Sequence, residues 1–200
     1  MPIGRREIRA GPLIEDLLNR LIRGSVITFV TLALTFALRF VTRVLIGRTL
    51  GPAGSGVYAL VVLTASWLVV FFNLGLDVAY AYLAGSKRYT VRQLNSHALV
   101  AGVALGTGGA VVALPILMAL SNSLLRGVSS AQLVLAVFRL PFGLLLAYWI
   151  KIILRVEHLV PYNAINLVRF GLLLIMVALA LVATSGSVNS ALVAWVISTI

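Results

Sequence analysis

Apolar residues run through this chain in long stretches broken by short polar knots, and that pattern predicts membrane-spanning helices. Five full spans fall at about 25–47, 57–83, 97–120, 131–154 and 162–184, and a sixth begins near 188 and reaches 200. Each of the five offers roughly the 20 apolar residues that cross a hydrocarbon core as a helix. The sixth rises only about 20 Å against about 30 Å of hydrocarbon, so the chain reads as a fragment, or as a half that needs a partner. Residues 1–24 form a separate unit: a tail, then a short helix opened by Pro12. Its apolar residues Leu13, Ile14, Leu17, Leu18, Leu21 and Ile22 recur at a helical period. Glu15 and Asp16 in its first turn and Arg20 and Arg23 in its last suit the helix dipole. Such a helix is expected to lie in the headgroup layer. The predicted fold class is all-α integral membrane, a multi-pass helical bundle over 25–200.

Composition strengthens this reading. Of 200 residues, 61% are hydrophobic and 10% charged, where a soluble domain carries about 25% charged residues. A soluble core of this length cannot absorb that much apolar surface, and lipid can. Cysteine is absent, which excludes disulfide and thiolate chemistry. The net charge of +11 is scattered between spans without a basic patch or nucleic-acid motif, so membrane lipids, not nucleic acid, are the expected partner.

The basic residues also set direction. Arg5, Arg6, Arg9, Arg20, Arg23, Lys87, Arg88, Arg92, Lys151 and Arg155 fall on one side, Arg48 and Arg126 on the other. The positive-inside bias then puts the N-terminus in the cytoplasm. Small residues at Ala98, Gly102, Gly106 and Ala110 repeat every fourth position and predict a close helix–helix contact on the third span. Pro115 and Pro141 should bend the third and fourth spans. Those bends read either as routine packing or as the edges and hinges of a cavity.

Between the first two spans the chain reads Arg48-Thr49-Leu50-Gly51-Pro52-Ala53-Gly54-Ser55-Gly56-Val57-Tyr58-Ala59-Leu60. Gly51-Pro52 supplies a tight turn and Gly56 a permissive start to the next helix. Asn73-Leu74-Gly75-Leu76-Asp77-Val78-Ala79 follows late in the second span. These two segments resemble the corresponding junctions of polysaccharide-biosynthesis membrane proteins, the oligosaccharide (O-antigen-type) flippases of the multidrug/oligosaccharidyl-lipid/polysaccharide superfamily. The resemblance implies two similar helical bundles facing each other across a cavity, of which this chain supplies the first, in a bacterial plasma membrane. It implies a lipid-linked oligosaccharide as cargo, carried on a polyprenyl diphosphate. Tyr82 stands where many relatives carry a basic residue, so that contact does not transfer. A multidrug-extrusion antiporter of the same superfamily and a non-transporting scaffold in envelope biosynthesis are the alternatives.

Ionisable residues inside spans are costly and usually face a bundle interior or a wet cavity. Five occur: Arg39, Arg43, Asp77, Arg139 and Arg169. At 1.5 Å per residue, Arg39 and Arg139 both lie about 12 Å below the outer face. Arg43 shares a face with Arg39. The functional expectation is that the three line a cavity and grip phosphate oxygens with planar guanidinium forks. In the opposing one, Arg43 snorkels to the headgroups and the others meet acids in a missing half. Asp77 and Arg169 both fall about 9–10 Å from the inner face, which suggests an interhelical pair, either a packing clamp or a coupling element. No nucleophile elbow, phosphate loop or metal-ligand spacing appears, so no catalytic residue, metal or cofactor is expected.

Overall fold

The computed structural model describes residues 10–86, 88–121, 123–156, 159–184 and 186–199. The tail with Arg5, Arg6 and Arg9, the loop residue Lys87, and the pair Glu157 and His158 lie outside the described residues. The described chain is helical apart from short turns, with no strand among the described residues. Four stretches are long and apolar enough to cross a membrane: Ser25–Asn73, Val91–Leu120, Ser130–Leu154 and Tyr162–Ala183. The outer surface agrees: Phe29 is 72% exposed, Val111 75% and Val182 84%, which lipid tolerates and water does not. The protein is an all-α, multi-pass membrane bundle.

Helix α1 (Ala10–Asn73) is two arms joined at Gly51, whose φ of 67° and ψ of −178° only glycine adopts without strain. Pro52 opens the second arm, a position where its missing N–H costs nothing. The turn thus falls where the sequence put it. Gly56, by contrast, sits inside the second arm, and a methyl group added there meets nothing within 4 Å. The first arm runs unbroken through Gly24, because one glycine costs a helix only about 1 kcal/mol and no proline accompanies it. The expected boundary at 24/25 is therefore not a break in the backbone.

The predicted second span is interrupted. Leu74 (φ 48°) and Gly75 (φ 75°) both take left-handed conformations, ending α1 and starting α2 (Leu76–Gly85). Helix α3 (Val91–Leu120) starts six residues ahead of the expected His97. A capping box explains the shift: Thr90 Oγ1 accepts from Gln93 N at 3.3 Å and Gln93 Oε1 from Thr90 N at 3.0 Å. Ser129 and Gln132 cap α4 (Ser130–Phe138) in the same way. Arg139 separates α4 from α5 (Leu140–Val156), where the ring of Pro141 interferes with the preceding turn. Helices α6 (Leu159–Ala183) and α7 (Val188–Ile197) complete the chain.

Two packing patterns organise the bundle. Helices α3 and α5 run antiparallel along Ala98, Gly102, Gly106, Gly109 and Ala113, all buried. A Cβ added at Gly106 would lie 2.3 Å from Pro141 Cα, and one at Gly102 2.6 Å from a Leu145 methyl. The predicted small-residue face is present, except that it passes through Gly109 and Ala113 instead of Ala110, the 3.6-residue turn having drifted off a strict four-residue repeat. On the other side, the first arm of α1 and α6 run parallel. Asn163 Nδ2 donates to Thr28 Oγ1 at 3.2 Å, and Ile46 packs with Val177 and Leu181. Helix α7 turns back against α6, and Val61 and Ala65 of the second arm pack on its Leu192, Trp195 and Val196. The two arms of α1 therefore run in opposite directions.

Candidate functional site

The in-register run of the first arm beside α6 brings Arg39 opposite the Arg169-Phe170 dipeptide. Arg39 Cζ lies 4.5 Å from the centroid of the Phe170 ring, and Arg169 Cζ lies 5.5 Å from the same centroid. The break before Pro141 places Arg139 at a helix junction, 8% exposed, with Cζ 4.2 Å over the Trp195 ring. Its Nε donates to Thr199 Oγ1 at 3.1 Å. Tyr58 on the second arm packs against the cluster that holds Trp195 and against the one that holds Val177 of α6. Arg39 and Arg169 thus share the Phe170 ring, Arg139 covers Trp195, and Arg43 stands one turn from Arg39. Arg39 and Arg43 are exposed, one turn apart on the first arm.

Magnitudes decide what this group needs. A cation over an aromatic face gains about 0.5–2 kcal/mol. Desolvating a charge costs several kcal/mol. Two rings and one hydroxyl do not offset four guanidinium groups, and no carboxylate stands beside any of them among the described side chains. Among the described side chains the cluster is short of negative charge, and an anion with several oxygens would supply it.

Asp77 stands elsewhere. The pair with Arg169 expected from their matched depths is not formed: Asp77 Oδ2 lies 3.8 Å from Lys151 Nζ. Depth along the membrane normal does not say which helices are lateral neighbours, and α6 faces the first arm, whereas α2 lies against α5. Asn73 Nδ2 donates to Asp77 Oδ1 at 2.6 Å across the Leu74–Gly75 break. Tyr80 and Tyr148 stack nearby with centroids 5.1 Å apart. The Tyr148 hydroxyl and Asn73 Oδ1 are buried without a hydrogen-bond partner.

Sequence reasoning missed Asn73, Tyr148 and Lys151. Lys151 counted there only among the basic residues that set direction, although its four-carbon stem lets its ammonium meet Asp77. The signal for Asn73 was present: a polar residue four before an intramembrane aspartate, with a glycine between. Of the motif residues, Arg48 is exposed just before the Gly51–Pro52 turn. Two grooves of about 300 and 320 Å³ are lined by Leu76, Tyr80, Tyr89 and His97, and by Leu45, Thr49, Leu181 and Gly186. Neither takes in an arginine of the cluster, whose open side is the exposed face of the first arm. No group of three or more His, Cys, Asp or Glu occurs among the described residues. Comparison with known protein families, with curated proteins and with solved structures returns no match for this chain.

Proposed function

We propose that this chain is the first bundle of a flippase that moves a polyprenyl-diphosphate-linked oligosaccharide across the bacterial plasma membrane, N-terminus in the cytoplasm. One observation carries the reading: four intramembrane arginines, three of them over the rings of Phe170 and Trp195, with no carboxylate beside them among the described side chains. A diphosphate brings several oxygens and matches the planar guanidinium fork. Arg39 and Arg43 meet it first, on the open face of the first arm. Arg169 and Arg139 deepen the positive potential behind them. The polyprenyl tail stays in the acyl layer beside exposed residues such as Phe36 and Phe40, and a second bundle closes the path from the opposite side. No bond is made or broken. A cationic drug would meet like charge here, which disfavours the antiporter alternative.

The test is binding in nanodiscs, with an undecaprenyl diphosphate against a cationic dye. Arg39→Gln and Arg169→Gln should each weaken lipid-diphosphate binding by roughly tenfold or more, the scale of one charge-assisted hydrogen bond. Arg39→Lys should recover only part of it, since the ammonium keeps charge and loses the fork. Preference for the dye, or lipid-diphosphate binding indifferent to both Gln variants, would refute the proposal.

A further inference from the structure

The break at Leu74–Gly75 makes a second polar site that the arginine cluster does not use. We propose that Asn73, Asp77 and Tyr148 form a sodium site in which the ion competes with the Lys151 ammonium for the Asp77 carboxylate. This rests on the Asp77 geometry alone and does not require the cargo proposed above.

Four observations converge. The chain leaves helical geometry at Leu74 and Gly75 inside an apolar stretch, and a helix end frees the carbonyls of its last turn. Broken helices in membranes expose backbone oxygens where a cation can use them. Asp77 supplies the single negative charge, held by Asn73 Nδ2 at 2.6 Å. Two buried oxygens without partners complete the set: Asn73 Oδ1, and the hydroxyl of Tyr148, a residue with no exposed surface. The Tyr148 ring packs against that of Tyr80, one turn from Asp77, with centroids 5.1 Å apart. An unpartnered buried polar atom is costly, and an ion held at Asp77 would give a partner to one on Asn73 and one on the helix packed against α2.

The donor set selects the ion. One carboxylate with neutral oxygens balances a single positive charge, and hard oxygen ligands suit an alkali cation over a transition metal. The present occupant already has that charge. Lys151 Nζ stands at 3.8 Å, longer than a tight charge-assisted hydrogen bond, and its side chain is 41% exposed. Replacing the ammonium by sodium leaves the net charge of the site unchanged and lets Lys151 swing to the cytoplasmic headgroups. The exchange transfers the tie between α2 and α5 from Lys151 to Tyr148.

The experiment follows amide hydrogen exchange of residues 73–79 and the thermal midpoint of the whole chain in nanodiscs. Sodium chloride is compared with potassium and choline chloride at fixed ionic strength and pH. Sodium should slow exchange across the break and raise the midpoint. Tyr148→Phe, which removes one oxygen, should weaken the sodium response by roughly tenfold, and Asp77→Asn should abolish it. Lys151→Gln, which removes the competitor, should strengthen apparent sodium affinity by a similar factor. Equal responses to the three salts, a response that follows pH alone, or an unchanged affinity in Lys151→Gln would each overturn the assignment.

Discussion

The two flanks of this bundle are held together in opposite ways. Along α3 and α5, glycine and alanine let backbones approach until a single added methyl group would collide with Pro141 or Leu145. Along the first arm of α1 and α6, fewer residues are buried: Thr35, Thr42 and Ile46 on one helix, Asn163, Val177 and Leu181 on the other. The remaining surface carries large apolar side chains and arginines. Lipid tails are as apolar as leucine, so helices in a membrane gain little from burying hydrophobic area and depend on close fit. One flank fits through small residues; the other leaves more of its surface open and carries charge. Rigid packing and a charged working surface have been separated within one chain.

The contrast can be broken at its strongest point. Gly106→Ala puts a Cβ 2.3 Å from Pro141 Cα, and relief requires the two helices to part. The expected loss is about 3 kcal/mol, a drop of the order of 10 °C in thermal midpoint in detergent. A tolerated alanine would show that the seam is no tighter than the arginine flank. Beside that flank, in the arginine cluster, Thr199→Val removes the hydroxyl that Arg139 Nε uses at 3.1 Å. It should cost about 1 kcal/mol, as interhelical hydrogen bonds in membranes do, read as a midpoint shift about a third as large. A cost equal to that of Gly106→Ala would mean the charged flank is as dependent on fit as the seam. The smallest effect belongs to Gly108→Ala, two residues from Gly106 on the open side of α3, where nothing lies within 4 Å of the new methyl group. Helix propensity alone predicts a gain of about 0.5–1 kcal/mol. A loss there would place a neighbour on a face that the structure leaves open.

The fold was largely readable from the residues. Long apolar stretches, the Gly51–Pro52 turn and the Ala98-Gly102-Gly106 repeat each have a local physical cause, and each is found in the structure. What the sequence hid was lateral. Rise per residue gave depths for Asp77 and Arg169, but depth does not reveal that α6 lies beside the first arm and α5 beside α2. Hence Arg169 meets Phe170 and Arg39, while Asp77 meets Lys151. The interruption at Leu74–Gly75 was hidden for another reason. Leucine disfavours positive φ, and nothing local announces that it will adopt 48°. The early start of α3 was legible and overlooked: Thr90 and Gln93 spell a capping box.

Gly51 has a consequence for how the protein is made. The two arms of the first helix meet through one residue outside helical geometry, so almost no bare peptide must be hauled through the bilayer with the turn. The polar freight is Arg48, Thr49 and Ser55, and both hydroxyls already bond to backbone carbonyls of the preceding turn. Neither arm is then asked to wait alone for its neighbour. Residues 25–73 are suited to leave the translocon as a single helical hairpin, and a longer hydrophilic connector at this spot would oblige them to insert one after the other.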